Sequence, residues 1–174
     1  MSFELKFERR FCMAHRLISG KSEKCATPHG HNEFVRISLV SQQPQALNLQ
    51  DNMITNFTDA KQLWHQFIDE HIDHKFQLNN ADPLIQYFKD KEPDLLKNIV
   101  ECPGDPTTEL LAACLMAKLD AFLSSIDSLL ICNALELEET PTNTVKLVGI
   151  KAYQPHLPQG DFWWHRADMS INDF

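Results

Sequence analysis

The sequence predicts an α+β fold on three observations. Stretches with period-two alternation sit at both ends of the chain. Stretches with helical spacing lie between them, giving the order strand, strand, helix, helix, strand, strand. The length of 174 residues suits one domain with a sizeable core.

The elements follow in order. ELKFERRFCMAHRL (4–17) carries β-favouring residues and partial alternation, and reads as a strand. LISGKSEKCATPHG is a polar loop punctuated by Gly, Ser and Pro. HNEFVRISLVS resumes alternation, with Phe34, Arg36 and Ser38 on one side and Val35, Ile37 and Leu39 on the other. QQPQALNLQDN is a turn region. NFTDAKQLWHQFIDEHID (56–73) places Leu63, Phe67, Ile68 and Ile72 at helical spacing, with Thr58 as the expected N-cap. NNADP breaks that pattern. TTELLAACLMAKLDAFLSSI (107–126) is the second long helix, opened by Pro106 and Thr107. LLICNALELEET and TVKLVGIKAY form a hairpin. The tail, QPHLPQGDFWWHRADMSINDF, is aromatic without a period.

Composition narrows the function classes. Hydrophobic residues make up 43% and charged residues 23%, as in ordinary soluble globular proteins. A net charge of −8 argues against nucleic acid as a partner, because phosphate backbones require a basic face. It leaves room for a small anionic substrate met by a few local cations. No apolar run reaches the ~18 residues of a membrane span. MSFELKFERR has charges where a signal peptide has its apolar core, so a cytoplasmic location is expected. The cysteines Cys12, Cys25, Cys102, Cys114 and Cys132 are odd in number and irregularly spaced, which reads as thiols rather than a disulfide frame.

The chemistry concentrates in CATPHGH (25–31). In an extended chain His29 and His31 leave the same face, and His15 lies in a strand that can run alongside. Three neutral imidazoles suit Zn²⁺ and leave a fourth position for water or substrate, the mark of a catalytic site. Gly30 lets the backbone pass close by. Cys25 admits two readings: a fourth ligand that closes the site, or a thiolate beside the metal acting as base or nucleophile. An isolated His-x-His pair is weak, and the bland reading is partly buried, hydrogen-bonded histidines. Asp73 and His74 form an adjacent carboxylate–imidazole pair, whose bland reading is a helix C-cap. Glu139 closes LELEET. There it is either part of a solvated strand face or a carboxylate that takes paired N–H groups of a planar ligand. Alternation puts Glu139 on the face opposite Glu136 and Glu138.

In order along the chain, FCMAHRL, CATPHGHN, MITNF, DHKF, LN, PTTEL and LELEET together resemble the 6-pyruvoyltetrahydropterin synthase family over residues 5–148. Three residues separate Cys25 from the HGH, a spacing similar to that of its 6-carboxytetrahydropterin synthase branch. The resemblance implies a T-fold, an antiparallel four-stranded sheet with two helices on one face, over 1–150, with 151–174 as a C-terminal extension. It implies Zn²⁺ held by His15, His29 and His31, Cys25 as catalytic thiol, and Asp73 and His74 as a proton relay. Glu139 matches the pterin-anchoring glutamate, and Thr107 and Thr108 are substrate contacts. The implied reaction takes 7,8-dihydroneopterin triphosphate to 6-carboxy-5,6,7,8-tetrahydropterin, releasing acetaldehyde and triphosphate, in queuosine and 7-deazapurine biosynthesis. A homo-oligomer, hexamer or trimer, with active sites between subunits is implied too. Arg16, Lys21 and Lys24 are the local cations available to the triphosphate. The alternatives are pyruvoyl formation on the same substrate and a non-enzymatic zinc-stabilised module. The chain departs from the pattern at Asn56, where an aspartate is usual, at one additional residue within DHKFQLN, which bears on Leu78 and Asn79, and in the tail containing Trp163 and Trp164.

Overall fold

In a computed structural model that describes residues 3–20, 22–43 and 46–173, the chain wraps a curved sheet around two helices. β1 (Glu4–His15) and β2 (His29–Ser41) form a long antiparallel pair in which Phe11 opposes Glu33 and His15 opposes His29. The loop between them holds one helical turn, α1 (Glu23–Ala26), where a plain loop was expected. The strand begins at His29 rather than His31, so both histidines are strand residues. Gly30 is needed for this pairing, because a Cβ there would sit 2.8 Å from the Met13 carbonyl oxygen.

α2 (Phe57–Phe67) continues through a π-helical turn (Ile68–Ile72). Its cap is Asn56, whose side chain accepts from Thr58 N at 2.9 Å, and not Thr58 as the spacing suggested. The segment after it corrects the expected four-stranded sheet. β3 (Lys75–Asn79), α3 (Pro83–Lys91) and β4 (Ile99–Cys102) add two strands that pair in parallel, giving a six-stranded sheet ordered β4-β3-β1-β2-β5-β6. Parallel neighbours need a crossover, which α3 and the turn after it provide. α4 (Thr108–Ser125) precedes the antiparallel hairpin β5 (Leu130–Thr140) and β6 (Asn143–Val148). The second strand of that hairpin ends at Val148, short of Tyr153, and a turn follows from Gly149.

Phe11, Met13, Val35, Ile37, Leu135 and Leu137 line the inward face of the sheet and pack on Trp64, Phe67 and α4. α4 is apolar nearly all round, which fits a helix covered on two sides. The sheet covers one side. The tail covers the other, with Tyr153, Leu157, Trp163, Trp164 and Ile171 buried in the same core. A smaller cluster of Leu78, Ile85 and Ile99 seats α3 against β3 and β4. Among the described residues no helix is long and apolar enough to cross a membrane.

Candidate active site

At the end of the β1–β2 ladder, strand alternation turns His15, His29 and His31 to the inward face, and their ligand-capable atoms all lie within 4.8 Å of one another. Backbone carbonyls fix two of the rings from behind. His15 Nδ1 lies 2.9 Å from Pro106 O, just before α4, and His29 Nδ1 lies 2.8 Å from Thr27 O. A carbonyl only accepts, so each Nδ1 carries a proton, and in the neutral rings each Nε2 presents a lone pair. The two Nε2 atoms face each other at 3.2 Å. Two lone pairs so placed repel unless a cation lies between them, and hydrogen-bonded Nδ1 groups are the usual outer support of metal-binding histidines. The donor set therefore fits Zn²⁺. Burial, opposed by the Pro106 contact, lowers the pKa of His15 and favours its neutral, ligating form.

Cys25 is half-buried on α1 and lies outside this group of ligand atoms. Its backbone is tied to both sides of the loop: its N–H donates to Ser22 Oγ at 3.3 Å and its carbonyl accepts from Leu17 N at 2.8 Å. Asp105 pins the same loop by accepting from Ile18 N and Ser19 N. Glu139 emerges at the end of β5 on the histidine side, with Oε1 3.9 Å from His15 Nε2. Thr108 donates to that oxygen at 2.7 Å. Thr107 is occupied as the N-cap of α4, accepting from Leu110 N at 3.3 Å. Glu136 and Glu138 lie on the other face, both on Arg36.

Asp73 and His74 form a complete pair, but elsewhere. His74 Nδ1 lies 2.8 Å from Asp73 Oδ2, and Asp73 Oδ1 accepts from Cys12 N at 2.7 Å. Burial pushes the Asp73 carboxyl up, yet the hydrogen bonds from Cys12 and His74 outweigh it and hold its pKa below the usual value. His74 has a left-handed backbone, φ 60°, and an exposed ring. It borders a cavity of about 500 Å³ whose lining includes Cys12, Ala14 and Asn32 and also His31. Among the described residues no hydrogen bond or ion pair joins it to the histidines, Cys25 or Glu139. Arg16 is taken by a two-pronged ion pair with Asp82, with Nε 2.7 Å from Oδ2, which removes it as a free cation for a triphosphate. Lys21 lies outside the described residues. Lys24, on α1, is in none of the ion pairs among the described residues.

A profile described as 6-pyruvoyl tetrahydropterin synthase matches residues 4–149. The chain belongs to that family. Members of the 6-pyruvoyl tetrahydropterin synthase family are lyases that act on pterins. Solved structures carry the same fold. An uncharacterized protein from Wolinella succinogenes superposes with a TM-score of 0.68 at 23% identity, over 85% of this chain and 98% of its own. The 6-pyruvoyl tetrahydropterin synthase of Caenorhabditis elegans gives 0.57 at 21%, over 86% and 96%. That of Plasmodium falciparum gives 0.57 at 17%, over 86% and 98%. No curated protein matches the chain.

One acidic residue was not singled out by the sequence reading. Glu33 follows His31 on the same strand face and is 3% exposed. Burial, reinforced by the Glu139 charge, raises its pKa to about 8. Alternation carried the signal, since Glu33 shares the inward side with Val35 and Ile37.

Proposed function

We propose that this protein is a zinc-dependent lyase that converts 7,8-dihydroneopterin triphosphate to 6-carboxy-5,6,7,8-tetrahydropterin, with release of acetaldehyde and triphosphate, in the queuosine and 7-deazapurine route. The observation that carries the reading is the His15–His29–His31 triad, held from behind by backbone carbonyls, with Cys25 outside it and Glu139 at its edge. The three-residue gap between Cys25 and His29 supports the carboxy-forming branch.

His15, His29 and His31 hold the zinc ion, which when bound supplies Lewis-acid polarisation of a substrate oxygen. Glu139 accepts the paired N–H groups along one edge of the pterin ring, and Thr108 fixes the orientation of its carboxylate. Cys25 takes a proton from the substrate side chain. The return proton comes from the partner subunit's His74, because this chain's own His74 pairs with Asp73 and, among the described residues, has no hydrogen bond or ion pair to the histidines, Cys25 or Glu139. A homo-oligomer, trimer or hexamer, is therefore part of the proposal, in the cytoplasm. The test is turnover of 7,8-dihydroneopterin triphosphate, read as triphosphate release, by zinc-loaded and chelator-treated protein. Release by the zinc-loaded form alone is expected. Equal release by both, or by neither, would reject the zinc-lyase reading.

A further inference from the structure

Glu33 is the buried ionisable group that the proposed chemistry leaves without a task. It stands two residues beyond His31 on the inward face of β2, opposite Phe11. Among the described residues its side chain has no hydrogen bond, and Oε2 is fully buried without a partner. Asp120, the other buried acid with an orphaned oxygen, at least accepts from Cys132 N at 3.3 Å. The pairing of Phe34 with Glu138 ends the β2–β5 ladder and brings Glu33 beside Glu139. A site concerned only with packing would place an apolar side chain opposite Phe11, since an unpaired buried carboxyl is destabilising.

A 2-amino-4-oxo pteridine supplies the missing partner. Its ring N–H and one amino hydrogen form the edge that suits the Glu139 carboxylate. The second amino hydrogen points away from that edge, and a buried donor needs an acceptor of its own. Resting on the pterin reading above, we propose that Glu33 is a second ring-binding, specificity-determining residue, whose carboxyl oxygen accepts the amino hydrogen that Glu139 leaves free. The carboxyl offers an acceptor oxygen in either protonation state.

The test compares zinc-loaded wild type, Glu33→Leu and Glu33→Gln by calorimetric titration with two probes, 7,8-dihydroneopterin and its analogue lacking the 2-amino group, with thermal melting in parallel. Glu33→Leu should melt higher, bind dihydroneopterin roughly tenfold more weakly and bind the des-amino analogue as the wild type does. Glu33→Gln keeps an acceptor oxygen and should lose less. If Glu33→Leu does not fold, the discrimination between probes is read from Glu33→Gln, where any selective loss supports the assignment. Variants that bind dihydroneopterin as tightly as the wild type, or lose both probes equally, would overturn the role of Glu33 alone. A wild type that binds neither probe would overturn the pterin reading itself and the proposal with it.

Discussion

Two imidazole nitrogens without protons repel each other, yet His15 Nε2 and His29 Nε2 are held at 3.2 Å by carbonyls behind their rings. That arrangement suits a ligand set, and Cys25 lies outside the donor group. Cys25→Ala is therefore expected to keep about one zinc per chain and the wild-type melting temperature while turnover falls by ~10²–10⁴-fold, the usual weight of a proton-transfer group. Metal analysis alongside steady-state kinetics checks this, and zinc loss would make Cys25 a ligand instead. At this scale alternation was a good guide. It put His29 with His31, separated Glu139 from Glu136 and Glu138, and had Glu33 on the inward side for the taking. Pro106 and Thr27 were not legible as ring supports, because a backbone carbonyl carries no residue-type signal. The pairing of Arg16 with Asp82 was equally hidden, since the two are 66 positions apart.

Gly30 shows how an element depends on one absent side chain. β1 and β2 approach there so closely that a Cβ would meet the Met13 carbonyl oxygen at 2.8 Å. A backbone atom cannot swing away as a flexible side chain does, so the strands themselves must part. Gly30→Ala is expected to cost about 1–3 kcal/mol, the range of core overpacking, and to weaken zinc binding by displacing His29 and His31 together. Denaturant unfolding and a metal competition titration read the two effects; unchanged values in both would show that the strands have slack. The sequence made the long antiparallel strands and both core helices plain, because their periods run for many residues. β3 and β4 escaped because each is short and gains its partners only through the α3 crossover. Asp82 before Pro83 was a readable helix start, with its side chain accepting from Leu84 N at 2.8 Å.

For the molecule as a whole, residues beyond β6 are part of the core and not a loose appendage. Lys118, fully buried on α4, donates to the carbonyls of Trp163, Arg166 and Met169, and its ammonium lies 4.9 Å from the Phe67 ring centroid and 4.8 Å from that of Phe122. The tail, aromatic and without a period in the sequence, closes the outer side of an unusually apolar helix, a pairing visible only once α4 is seen to be apolar nearly all round. Lys118→Met should strand those carbonyls and lower stability by more than about 2 kcal/mol without changing zinc content, as urea unfolding and metal analysis would show. The separation of the Asp73–His74 pair from Cys25, with which it shares no hydrogen bond or ion pair among the described residues, makes a second whole-molecule prediction. Cys25→Ala and His74→Ala, each inactive alone, should regain turnover when unfolded and refolded together, since mixed oligomers contain sites with both wild-type residues. Failure to regain any activity in verified mixed oligomers would place the relay within one chain. The central claim is tested most directly by incubating the zinc-loaded protein with 7,8-dihydroneopterin triphosphate and identifying the pterin product by mass. The account predicts 6-carboxy-5,6,7,8-tetrahydropterin together with acetaldehyde and triphosphate; recovery of intact substrate, or a 6-pyruvoyl product without acetaldehyde, would contradict it.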